Sequence, residues 1–125
     1  MNTRIPIVIL SAELSSKFAE ANAQSTEALR LALRDSDIPY REVKGIYKGT
    51  SETSFMLVLP WEKLYVADRL RDSFEQESYL LIDSNSLASL EFEGGSEILG
   101  KFTELTQVPM HGDYTLINGV AYGIR

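Results

Sequence analysis

The chain has 125 residues and no cysteine, so neither a disulfide framework nor a thiolate zinc site is open to it. Its single histidine, His111, cannot build a histidine metal cluster alone. No metal and no cofactor is expected. Nowhere does an apolar run approach the ~20 residues of a membrane span. The start, Met1-Asn2-Thr3-Arg4-Ile5-Pro6, lacks the charged, apolar and cleavable pattern of a signal sequence. The expectation is a cytoplasmic protein without a membrane partner. Basic residues are also few: 12 Lys and Arg face 18 Asp and Glu, for a net charge of −6, and no Lys/Arg block occurs. That balance argues against a phosphate-tracking surface for nucleic acid and suits a cationic small molecule better.

Signatures of familiar chemistry are missing too. The glycines form neither Gly-x-Gly-x-x-Gly after a strand nor a Walker loop, and no Gly-x-Ser-x-Gly elbow is present. His111 lies in the turn-like Pro109-Met110-His111-Gly112-Asp113, which reads as a surface histidine rather than a catalytic one. The carboxylate pairs Glu91/Glu93 and Asp35/Asp37 fall at strand ends or turns, where solvated charge is the ordinary explanation.

What is present reads as one domain, 1–125. Ile5 to Ala12 is short, apolar and β-branched, the profile of a buried central strand. From about Ser25 to Arg34 good helix formers dominate, with Ala28, Leu29, Ala32 and Leu33 on one face, and Asp35 to Pro39 ends the helix. Tyr40–Ile46 and Thr53–Leu59 read as a hairpin. Pro60 opens a second helix whose buried face is predicted to carry Trp61, Leu64, Tyr65, Ala67, Leu70 and Phe74. Ser78–Asp83 is a fourth strand. This order is that of an α+β, ferredoxin-like βαββαβ sandwich, with both helices on one face of an antiparallel sheet. Alternation at Ala88, Leu90 and Phe92, and Asn118-Gly119 between Tyr114–Ile117 and Val120–Tyr122, predict additional C-terminal strands that extend the sheet. The sheet's other face needs a cover, which makes self-association plausible.

The most site-like stretch is Gly45-Ile46-Tyr47-Lys48-Gly49-Thr50-Ser51-Glu52-Thr53-Ser54-Phe55. A hairpin tip needs turn residues, which Lys48 to Ser51 supply; Glu52 is surplus to that need. It stands where the chain enters an apolar run, so its carboxylate faces desolvation unless a cation meets it. It is either a solvated gatekeeping charge or a carboxylate held for a positively charged ligand. Tyr47 and Asn85 also sit at predicted strand ends or loops, where a sheet presents polar groups.

The ordered pattern Val8-Ile9-Leu10-Ser11-Ala12, Gly45-Ile46-Tyr47 with a glutamate before a strand, Leu81-Ile82-Asp83-Ser84-Asn85, Gly100-Lys101-Phe102-Thr103-Glu104-Leu105 and Gly112-Asp113-Tyr114-Thr115 resembles the phage S-adenosylmethionine lyases. These were formerly called S-adenosylmethionine hydrolases. The resemblance implies a PII-like homotrimer that binds S-adenosylmethionine between subunits and depletes it in the bacterial host cytoplasm, defeating restriction. The implied reaction yields methylthioadenosine and homoserine lactone by attack of the substrate's own carboxylate. By position, Glu52 would hold the substrate's ammonium and Tyr47 would shape the sulfonium site, with Tyr40 an alternative to Tyr47. Asn85, Ser11 and Ala12 would contact substrate; Asn85 stands where the family carries a glutamine. Two other classes remain open on the sequence: a PII-like adenosine-ligand sensor without turnover, and a phage inhibitor of a host enzyme.

Overall fold

The computed structural model describes residues 5–47, 49–107 and 112–125. The expectations for Lys48 and His111 lie outside them. The described residues form β1 (Ile7–Ser11), α1 (Ala19–Asp35), β2 (Tyr40–Tyr47), β3 (Thr50–Val58), a 3-10 turn at Trp61–Lys63, α2 (Tyr65–Ser73), β4 (Ser78–Ile82), β5 (Leu87–Phe92), β6 (Gly95–Glu104), β7 (Tyr114–Ile117) and β8 (Val120–Ile124).

These strands close into one antiparallel barrel in the order β1-β3-β2-β7-β8-β6-β5-β4, with β4 returning to β1. The ferredoxin-like sandwich expected from the element order is therefore incorrect. The later strands do not lengthen an open sheet. β5 joins the free side of β4, β7 joins the free side of β2, and β6 with β8 bridges the gap. Closure removes the edges. It also turns the second sheet face, expected to need a cover from other copies, into the inside of the barrel. The PII-like architecture that the resemblance implies is corrected with it.

Two apolar clusters follow from the period of two along each strand. Val8 and Leu10 of β1, with Ala12 just after it, point outward and pack with Phe55, Leu57, Leu81, and with Leu29 and Leu33 of α1. Ile7 and Ile9 point inward with Val43, Ile82, Ala88, Phe102 and Ile117. All five β1 residues are buried, because helices cover one face of the strand and the lumen the other.

α1 begins earlier than its composition predicts. The Asn22 side chain accepts from Leu14 N at 2.8 Å and donates to Leu14 O at 3.0 Å, tying the preceding loop to the first turn. It ends when Asp37 takes φ 55° and Ile38 N donates to Leu33 O at 2.9 Å, a left-handed C-terminal cap. In α2 the expected buried face is partly wrong. Trp61 is 51% and Tyr65 52% exposed, because the segment after Pro60 opens as a 3-10 turn and the phase shifts before the α-helix starts. The Arg69 guanidinium lies over the Tyr65 ring instead, 5.1 Å from its centroid. The β7–β8 hairpin matches expectation. Asn118 (φ 52°) and Gly119 (φ 79°) form the two-residue left-handed turn that fits strand twist.

Phe55 is fully buried between β3 and α1, with the Tyr40 ring edge-on at 5.6 Å and Arg30 over its face at 5.7 Å. Phe55→Ala is expected to cost about 3–5 kcal/mol in urea unfolding. Val58→Ala, at a position 42% exposed on the same strand, should cost under about 1 kcal/mol.

Candidate active site

One end of the barrel lumen holds a cavity of about 440 Å³, within the ~300–1,000 Å³ of small-molecule sites. The inward-facing residues of β1 to β4 reach it at Ser11, Tyr47, Glu52, Ser54 and Leu80, and β6 to β8 add Phe102, Thr115 and Tyr122.

Register explains who meets whom. Glu52 of β3 stands opposite Gly45 of β2, Gly45 opposite Thr115 of β7, and Thr115 opposite Tyr122 of β8. Directly opposed residues share a face, so these four make one row around the inner wall. Gly45 is the gap in that row, and Tyr47 fills it. A Cβ on Gly45 would lie 2.5 Å from the Tyr47 ring, so only glycine lets that ring lie back across its own strand. The Tyr47 hydroxyl is hydrogen-bonded to the Thr115 side chain.

Glu52 lies inside a strand rather than at its entry, since β3 begins at Thr50. Burial raises its carboxyl above the ordinary carboxylate value, the Glu13 charge raises it further, and the Ser11 hydroxyl opposes both. Among the described residues no lysine or arginine forms an ion pair with it. Ser11 is fixed in turn. Its hydroxyl donates to Thr53 O at 3.2 Å and accepts from Glu13 N at 3.0 Å, while the Glu13 carboxylate accepts from Thr53 N at 2.5 Å. The Tyr47 hydroxyl is also raised, chiefly by burial. The Thr115 hydrogen bond opposes this, and the charges of Glu52 and Asp113 add to it.

The sequence-derived candidates are thus divided. Glu52, Tyr47 and Ser11 meet at the cavity. Ala12, just past the end of β1, is buried in the helix-side cluster instead. Tyr40, seven residues before Tyr47, also faces the helix side, where its hydroxyl accepts from Arg34 Nε at 3.2 Å. Asn85 sits in the β4–β5 turn at the other end of the barrel, because β4 runs antiparallel to β1 and its Ile82 end pairs with Ile7. There Asn85 N donates to Asp83 Oδ1 at 2.8 Å and its carbonyl accepts from Lys101 Nζ at 2.7 Å. Thr115, Tyr122, Phe102 and Asp113 were not anticipated. Alternation marked the β7 and β8 residues as strand, but not which wall they would join.

Because burial favours protonated Glu52, the folded state binds a proton more tightly there than the unfolded chain does. That contribution favours folding in acid and fades as pH rises from the ordinary carboxylate range through the raised value. Glu52→Gln should therefore raise the thermal midpoint by a few degrees at neutral pH, with the gain vanishing below the ordinary carboxylate range. Calorimetry across that pH range checks this.

No curated protein matches the chain. Residues 8–125, nearly the whole chain and every element that builds the cavity, match the family model described as the S-Adenosylmethionine lyase family, and the chain belongs to that family.

Proposed function

We propose that the protein cleaves S-adenosylmethionine to methylthioadenosine and L-homoserine lactone. The observation that carries this reading is Glu52, a half-buried carboxylate in the lumen that forms no ion pair among the described residues, lining the cavity together with Tyr47. Such a group destabilises the empty protein and gains a partner when a cationic substrate enters.

In this mechanism an oxygen of the substrate's α-carboxylate attacks its own γ-carbon. The Cγ–S bond breaks, and its electron pair passes to sulfur, which becomes a neutral thioether. The five-membered lactone retains the ammonium, so charge balances and no proton is transferred. Negative charge on oxygen and positive charge on sulfur vanish together, which a water-poor lumen favours. Glu52 holds the ammonium and so fixes one end of the methionine chain, while Tyr47 limits how that chain folds. Orientation of this kind is worth up to about 7–11 kcal/mol.

The setting that goes with this activity is depletion of S-adenosylmethionine in a phage-infected bacterial cytoplasm, starving restriction systems of their cofactor. Association of copies into a homotrimer belongs to the same proposal. The exposed apolar side chains Phe92 and Ile98, which a neighbouring copy would cover, support it.

Mass spectrometry of purified protein with S-adenosylmethionine should show methylthioadenosine with lactone ahead of homoserine. Homoserine alone would make water the nucleophile, and intact substrate would overturn the proposal. Glu52→Gln removes a charge-assisted contact and should lower kcat/KM roughly 10- to 100-fold. In the wild type, kcat/KM should rise with pH as Glu52 ionises, over a range above that of an ordinary carboxylate. The Gln variant's profile should be flat there.

A further inference from the structure

The cavity has two chemically different walls. Around Glu52 and Tyr47 it is polar and anionic; across the lumen Leu90 of β5 and Leu99 of β6 make it apolar. Where the walls meet, Phe102 and Tyr122 lie almost parallel, centroids 5.5 Å apart and planes inclined by 10°. Phe102 is 2% exposed and sits in the lumen cluster, whereas Tyr122 is half-buried, packs against that cluster, and faces the cavity. A flat aromatic surface held by a second ring in a largely apolar wall is a stacking platform for a planar heterocycle.

Register sets its distance from the carboxylate. In the row that runs through Gly45 and Thr115 and continues past Tyr122 to the exposed Glu104 of β6, Glu52 and Tyr122 stand three strand spacings apart. At ~4.8 Å per spacing this is roughly 14 Å along the curved wall, and less straight across the lumen. Tyr47, folded over Gly45 and bonded to Thr115, lies between them.

We propose that Tyr122, backed by Phe102, is the purine-binding wall of the cavity, so that the ligand lies along the row with its ammonium at Glu52, its sulfonium by Tyr47 and its adenine on Tyr122. The assignment rests on the lyase reading for the identity of the ligand. It makes the two ends separable. A neutral adenosine thioether needs only the aromatic wall, and S-methylmethionine, a sulfonium amino acid without a purine, needs only the anionic one.

The test is calorimetric titration of methylthioadenosine and of S-methylmethionine into wild type, Tyr122→Leu and Glu52→Gln, beside turnover of S-adenosylmethionine by the wild type. Methylthioadenosine should bind Tyr122→Leu at least ~10-fold more weakly than wild type, and Glu52→Gln within about twofold. S-methylmethionine should show the reverse dependence. Tyr122→Trp keeps a stacking ring, and saturating methylthioadenosine should quench its added indole emission relative to the wild type, whose single tryptophan is Trp61. This second readout holds even where the leucine variant fails to fold. Active wild type with methylthioadenosine affinity unchanged by Tyr122→Leu, or no quenching in Tyr122→Trp, overturns the inference and leaves the lyase reading standing. Wild type that leaves S-adenosylmethionine intact overturns both.

Discussion

Closing a sheet onto itself forces one side chain in two, along every strand, into a shared interior. In this chain that constraint arranges nearly everything of functional interest. β4 and β2 would each have an open side without β5 and β7, and the inward residues of β1 to β4 would then face solvent or another molecule. With the ring complete, Ile7, Ile9, Val43 and Phe102 become a packed base in the lumen, and the unfilled end above them becomes the cavity. The helices serve the outer surface of the same strands, so two clusters share one wall.

Within that interior, electrostatics and sterics are set by a few cross-strand neighbours. Glu52 is strained electrostatically rather than sterically: burial and Glu13 act against its charge, and Ser11 only partly compensates. Its backbone, and that of Gly45 opposite, belongs to a regular ladder, so the carboxylate cannot relieve itself by a loop movement. A site that does not relax around its own unfavourable charge is pre-organised for the cation that offsets it.

Much of this architecture is written locally, and the decisive part is not. Asn118-Gly119 between two alternating runs specified the β7–β8 hairpin, and the unbroken apolar run of β1 specified a strand covered on both sides. Glu52 stood out because a charge at an apolar run needs a reason. β6 is not legible as a strand, since it opens on the turn-like Gly95-Ser96-Glu97 and carries Gly100 at φ 139°, which reads as a turn. Without β6 the ring has a gap, and the sheet reads as open. Pairing partners are equally invisible to periodicity: nothing near Thr115 says that Gly45 and Tyr122 will flank it. Tyr47 and Tyr40 could be told apart only once the strand's phase was known, because an odd separation puts them on opposite faces.

β1 has a consequence for how this protein can vary. Its five residues are each committed, alternately to the helix-side cluster and to the lumen, and the strand's last inward residue, Ser11, touches the carboxylate. A strand in a half-solvated sheet has every second position available for drift, whereas β1 has none. The exposed first half of β6 is the opposite extreme. Substitutions that preserve the protein should accumulate at the projecting rim and leave the short central strand nearly untouched, so its history would be written on one side of the barrel.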